Sequence, residues 1–256
     1  SIKLNFEGES ISALLEDENG DNYFNVIIDG SSPFIFRPDT IKKLHLLASD
    51  LSKGKHSIEI FKRNEWDRGK TTFYGFEIEG NAKLLPKPIE PKRKIEFYGD
   101  SITAGFAVED TSKNNSPDST FTNNYISYAA FTARHFNADY RCICKSGIGI
   151  TVSWFPQIMP EIYDRLNPKD QNSRWDFSLY KPDIVVINLF QNDSWITSHP
   201  DSEEYKSQFG NTTLDDAFFI KSYQEFVANI RHKYPKASII TSLGSMDAAK
   251  KGSKWI

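Results

Sequence analysis

Two cysteines are too few for a disulfide scaffold. Cys142 and Cys144 stand two apart in a strand-like run, so their side chains share a face and are poorly placed to bridge. The Cys-x-x-Cys and Cys/His spacings of redox and zinc sites are missing too, and the pair reads as buried thiols with no metal implied. No apolar run approaches the roughly 18 residues of a membrane helix. The longest, residues 184–190, is broken by Asn188. An excess of positive charge is equally absent. Lys and Arg number 31 against 34 Asp and Glu, a formal charge of −3 that offers nucleic acid no basic field. A leader peptide is not visible either, because Ser1-Ile-Lys-Leu-Asn-Phe6 already alternates like a strand, as the front of a mature secreted chain would. What the 256 residues do hold is a 39 % hydrophobic share, enough for a sizeable core. Their aromatic share of 14 % is high. Aromatic rings fill cores and also stack on sugars, and composition alone does not choose.

The front of the chain reads as all-β. Alternating or apolar runs recur at residues 2–6, 11–15, 23–28, 34–36, 44–47, 58–61 and 73–78. Turn signals such as Glu18-Asn-Gly-Asp21, Asp29-Gly-Ser-Ser-Pro33 and Lys53-Gly-Lys55 separate them. Strands at this spacing, with no helical stretch between them, predict a β-sandwich or jelly roll over residues 1–84. Residues 85–94 carry three prolines and four basic residues, a stiff and exposed linker.

From residue 95 the pattern alternates between strand and helix. Strands are expected at 95–98, 140–144, 183–189 and 237–243, with helices at 124–136 and 214–234. In the last helix, Phe219, Tyr223, Phe226, Ile230 and Tyr234 recur at spacings of three and four. This order implies a parallel sheet between helical layers over residues 95–256, with ligands bound beyond the carboxyl ends of its strands.

Those strand ends carry the chemistry. Gly99-Asp-Ser-Ile-Thr103 follows the first strand, Lys145-Ser-Gly-Ile-Gly-Ile-Thr151 the second and Gln191-Asn-Asp193 the third. Acyl transfer needs a nucleophilic hydroxyl and donors aimed at the developing oxyanion. Ser101 offers the hydroxyl. Its own amide, a glycine amide and the Asn192 side chain offer three donors. Clustered histidines and carboxylates for a metal-assisted reaction are not found. Gly147-Ile-Gly149 lacks the third glycine of a dinucleotide fingerprint, and Thr103 replaces the second glycine of a Gly-x-Ser-x-Gly elbow.

With these motifs the sequence resembles the SGNH (GDSL-type) hydrolases, and more closely the carbohydrate esterase family 2 deacetylases. The resemblance implies an N-terminal jelly roll joined to a three-layer SGNH domain. It also implies an acetylesterase that removes O-acetyl groups from xylan- or glucomannan-type saccharides through an acyl-Ser101 intermediate. Ser101, Gly149 and Asn192 are then the oxyanion donors, with Gly147 as the alternate glycine. Trp195 is a candidate for stacking on the sugar, and equally for packing on the sheet. The partner is an acetylated oligo- or polysaccharide, with no cofactor, nucleic acid or membrane span, and the location is secreted, periplasmic or cell-surface. An SGNH lipid or thioester hydrolase and a non-catalytic carbohydrate-binding protein on an esterase scaffold are the alternatives. The chain departs from the family at the base, a histidine in a late His-Pro block. His199-Pro200 stands only seven residues beyond Asn192 (199 − 192 = 7), and Ile196 occupies the position of an Asp-x-x-His acid. The expectation is therefore a catalytic histidine beyond residue 256, with the C-terminal part of the domain missing.

Overall fold

The computed structural model describes residues 1–112 and 114–255. The chain forms two compact units, Ser1–Glu90 with Gly105–Ile126, and Pro91–Ala104 with Ser127 onward.

The first unit contains β1 (Ile2–Glu7), β2 (Ser10–Asp17), β3 (Phe24–Ile28), β4 (Phe34–Phe36), β5 (Lys43–Ala48), β6 (Lys55–Lys62), β7 (Thr71–Glu79) and β8 (Lys83–Leu84). They pair antiparallel in two sheets, ordered β4-β3-β6-β1-β8 and β5-β2-β7. The alternating runs of β2 and β6 turn one face inward. Ile11, Ala13 and Leu15 of β2 meet Phe6, Val26, Ile58 and Ile60 of the other sheet in one core. Residues 105–126, which the sequence pattern groups with the α/β half, belong here. They are held by a buried polar network that periodicity does not report. Arg63, 2 % exposed, pairs through Nη2 with Glu109 and donates to Asn25 Oδ1 (2.9 Å) and the Thr120 carbonyl (3.0 Å). Asn123 donates to Glu109 Oε1 (2.7 Å) and accepts from Asn25 (3.0 Å), while Ser119 donates to Asp21 (2.7 Å).

In the second unit, β9 (Arg93–Gly99), β10 (Ala138–Cys144), β11 (Ile184–Asn188) and β12 (Ser238–Ser242) form a parallel sheet in the order β10-β9-β11-β12. Strand β9 begins inside the proline-rich stretch, at Arg93. The helices are α1 (Ser101–Ala104), α2 (Tyr128–His135), α3 (Met159–Ile162), α4 (Gln191–Thr197), α5 (Glu203–Phe209) and α6 (Asp216–Lys233). Ile95 and Phe97 pack on Ala129 and Ala133 of α2. On the other face Tyr98 meets Phe226 of α6, and the buried Glu96 carboxylate accepts from Tyr98 (2.5 Å) and Tyr234 (3.1 Å). Three layers result. Asp215 caps α6 by accepting from the Phe218 amide, and Arg231, His232 and Lys233 complement the dipole at its end. Cys142 and Cys144 do share a face and remain thiols, with their sulfurs 3.2 Å apart.

This strand order fixes where a ligand can sit. From β9 the chain moves to β10 on one side and then to β11 on the other, so the topological switch point lies between β9 and β11. The ends of these strands are in register: Gly99 pairs with Cys144 and with Asn188, which pairs with Ser242.

Candidate active site

Ser101 opens α1 immediately after β9, and its amide, in the first turn, has no intrahelical acceptor. The turn is tight. A Cβ on Gly99 would lie 1.9 Å from Thr103 Oγ1, so only glycine fits before Asp100-Ser101. Ser101 is partly exposed, and among the described residues nothing hydrogen-bonds its hydroxyl.

Across the switch point, Phe190 holds the left-handed conformation (φ 89°) while 4 % exposed. That strained turn, braced by edge contacts with Phe219 and Trp255, starts α4 at Gln191-Asn192 directly after β11. The Asn192 amide is fixed at both ends. Its Nδ2 donates to the Ile148 carbonyl (2.8 Å), and its Oδ1 accepts from Trp154 Nε1 (3.0 Å). One Nδ2 hydrogen is left over.

Asp193, fully buried, organises the facing loop. Its carboxylate accepts from the Ile150 amide (3.0 Å), the Thr151 amide (2.6 Å) and hydroxyl (2.7 Å), and the Val152 amide (3.3 Å). Burial nonetheless pushes its pKa up, against those donors. Asp100, beside Ser101, is raised to about 7, first by burial and further by the charge of Asp193. Its Oδ1 accepts from Ile102 (3.0 Å), whereas Oδ2 is buried without a hydrogen-bond partner.

The loop carries both glycines singled out in the sequence. The Gly149 amide donates to Ser153 Oγ (2.9 Å), so its hydrogen is already engaged. The Gly147 amide has no partner among the described residues. Gly147 also has φ +83°, and a Cβ there would press against the Trp154 side chain at 3.2 Å. Of the two glycine amides, that of Gly147 is the one left open among the described residues.

Residues 1–88 match the carbohydrate esterase 2 N-terminal family, and residues 97–255 match the GDSL-like lipase/acylhydrolase family. A family two carbohydrate esterase from Clostridium thermocellum, solved with cellohexaose, superposes with a TM-score of 0.82 at 36 % identity, over 94 % of this chain and 70 % of that one. The chain belongs to carbohydrate esterase family 2. Two curated proteins are similar over nearly all of it. The cellulase/esterase CelE of Acetivibrio thermocellus is 38 % identical over 250 residues, 96 % of this chain and 28 % of that protein. An acetylxylan esterase / glucomannan deacetylase of Cellvibrio japonicus is 28 % identical over 251 residues, 96 % of this chain and 65 % of its own length. The chain therefore spans less than two thirds of either.

Aromatic residues of this family member line up beside the Asn192 amide. Trp195, the stacking candidate in the sequence, is only partly exposed and already engaged, with His199 stacked on it at 4.1 Å and Trp154 at 4.8 Å. His199 is exposed and folds back on its own helix end, its Nδ1 lying 2.8 Å from the Trp195 carbonyl and 2.9 Å from Ser198 Oγ. Trp154, 45 % exposed, is the outer ring of this stack. Sequence reading passed over it because it lies in an irregular loop, four residues past the motif Gly-Ile-Gly-Ile. A tryptophan just after a glycine-rich strand end was the available signal.

Proposed function

We propose that this chain carries the acyl-serine machinery of a carbohydrate O-deacetylase. One observation carries the reading: Ser101 and the doubly held Asn192 amide follow the two strands that flank the switch point of one parallel sheet. In this reading Ser101 Oγ attacks the acetyl carbonyl. The tetrahedral oxyanion takes hydrogen bonds from the amides of Ser101 and Gly147 and from the remaining Asn192 Nδ2 hydrogen. Collapse expels the sugar oxygen, which takes a proton, and water then cleaves acetyl-Ser101 to acetate. A general base removes the proton from Ser101 and returns it to the departing hydroxyl, the part the family assigns to histidine.

The relatives' names support the substrate class. Acetylated xylan- or glucomannan-type saccharides fit a half-exposed indole beside the oxyanion donor. In this reading the protein meets such polymers outside the cytoplasm, secreted, periplasmic or at the cell surface, and the two-sheet unit is read as a jelly roll. Asn192→Ala is expected to lower kcat on an aryl acetate by about 10²–10³, with KM nearly unchanged. A variant with near-parental kcat would reduce Asn192 to a brace for the loop and remove the central donor from the mechanism.

A further inference from the structure

The helix that carries Ser101 is a single turn. Residues Ser101–Ala104 close on a hydrogen bond from the Ala104 amide to the Asp100 carbonyl (2.9 Å), and Gly105 leaves the helical path at φ +71°. So short a helix has little stability of its own, and side chains around it have to fix its orientation. Ser101 and Thr103 stand two apart, about 200° around the helix axis, so the partly exposed Ser101 sets Thr103 on the inner side. Thr103 is fully buried there. Its Oγ1 lies 3.1 Å from the hydroxyl of Tyr128, the first residue of α2.

The same phenol oxygen serves a second strand end. The side chain of Asn188, which closes β11, also hydrogen-bonds the Tyr128 hydroxyl. Asn188 is buried, and its Oδ1 has no partner among the described residues, so the amide is held through Nδ2. A phenol accepts and donates at once: it takes the Asn188 amide hydrogen and keeps its own hydrogen for Thr103 Oγ1. The ring is fixed in turn, edge-on to Phe97 with centroids 6.0 Å apart and packed on the Ala129–Ala133 core. Burial raises its pKa to about 12, so the hydroxyl stays protonated at neutral pH.

We infer that Tyr128 is a positioning residue for the ester cleavage: its hydroxyl ties the turn bearing Ser101 to the strand end that leads into Asn192. The inference rests on the acyl-serine reading, in which these two residues are nucleophile and oxyanion donor. Backbone pairing brings the two chain segments together only as far as Gly99 and Asn188, the last pair of the β9–β11 ladder. Ser101 lies two residues beyond that pair and Asn192 four, each on a turn of its own. The Thr103–Tyr128–Asn188 link spans the ladder's open end with side chains, and so holds the separation between Ser101 and Asn192. Acyl transfer depends steeply on that separation, since a displacement of about 1 Å can cost 10²-fold in rate.

The test is a double-mutant cycle on turnover of an aryl acetate. Tyr128→Phe keeps the ring and deletes the oxygen, and Thr103→Val removes the other end of the contact at nearly constant shape, with melting temperatures confirming that each variant is folded. Tyr128→Phe is expected to lower kcat about tenfold with KM nearly unchanged, and Thr103→Val to lower it by a similar factor. Because both act through one contact, the double variant should lose about tenfold rather than the roughly hundredfold of two independent losses. Parental kcat in Tyr128→Phe overturns the inference. So does a rise in KM at constant kcat, which would assign Tyr128 to binding, or a hundredfold loss in the double variant, which would mean that the two residues act independently. Failure of the acyl-serine reading shows separately, as undiminished turnover in Ser101→Ala, whatever Tyr128→Phe does.

Discussion

Asp100 shows how the environment of a single residue sets its charge. It sits between the glycine that permits the turn and the serine that the turn presents, fully buried, with one carboxylate oxygen lacking a partner. Burial raises its pKa to about 7, and the nearby Asp193 charge adds to the effect. The sign follows from linkage. Between the ordinary carboxylate pKa and 7 the folded state holds this proton more tightly than the unfolded state, so stability falls as pH rises through that window. A shift of about three units corresponds to at most about 4 kcal/mol at pH above 7. Asp100→Asn is expected to remove this slope. Relative to the variant, the parent should lose stability between pH 5 and pH 8 in thermal melts. Parallel pH profiles for the two proteins would show that Asp100 does not titrate in the folded protein between pH 5 and pH 8. Identity and spacing mark Ser101 and Asn192 as candidates in the sequence, because short polar motifs at strand ends survive without any knowledge of packing. A preference between Gly147 and Gly149 is not legible there. It depends on the Ser153 hydroxyl taking the Gly149 amide, a contact four residues away that no motif encodes.

At the scale of elements, alternation and helical spacing brought out seven of the first unit's strands, all four strands of the parallel sheet, and helix α6. Strands such as β2, and helix α6, bury one face, and one-sided burial is what hydrophobic period records. The loop from Gly147 to Trp154 escaped that reading because polar groups hold it rather than a stripe. Asp193 gathers three of its amides, and Trp154 closes it by donating its backbone amide to the Gly147 carbonyl (3.0 Å) and its indole N–H to Asn192. The indole contact leaves Nδ2 as the only end of the amide that can face an oxyanion, so Trp154 is a positioning residue. Trp154→Phe keeps a ring and deletes the donor. It is expected to lower kcat on an aryl acetate by about tenfold, equivalent to about 1.4 kcal/mol, with little change in KM. Equal kcat in the two proteins would mean that the Ile148 carbonyl alone orients Asn192. A rise in KM with constant kcat would assign Trp154 to binding only.

For the whole molecule, the division into units does not follow the proline-rich stretch alone. The chain leaves the α/β unit at Gly105, contributes residues 105–126 to the sandwich unit, and returns at Ser127. The reason is the buried Arg63. Its charge requires Glu109, and the pair, with Asn25 and Asn123, makes the insert an integral part of the first unit. Cutting the chain near Pro91 would therefore strip those partners from the segment that follows the Ser101 helix. Contacts up to 98 positions apart in sequence carry this network, which is why composition and period placed the boundary at the linker alone. The central claim, however, concerns one atom, Ser101 Oγ. Its most direct test is mass spectrometry of the protein acid-quenched during turnover of an aryl acetate. One acetyl group should appear on the peptide carrying Ser101 and be absent in Ser101→Ala, whose turnover should fall to background. Acetyl found on another residue, or turnover retained by Ser101→Ala, would contradict the acyl-serine account.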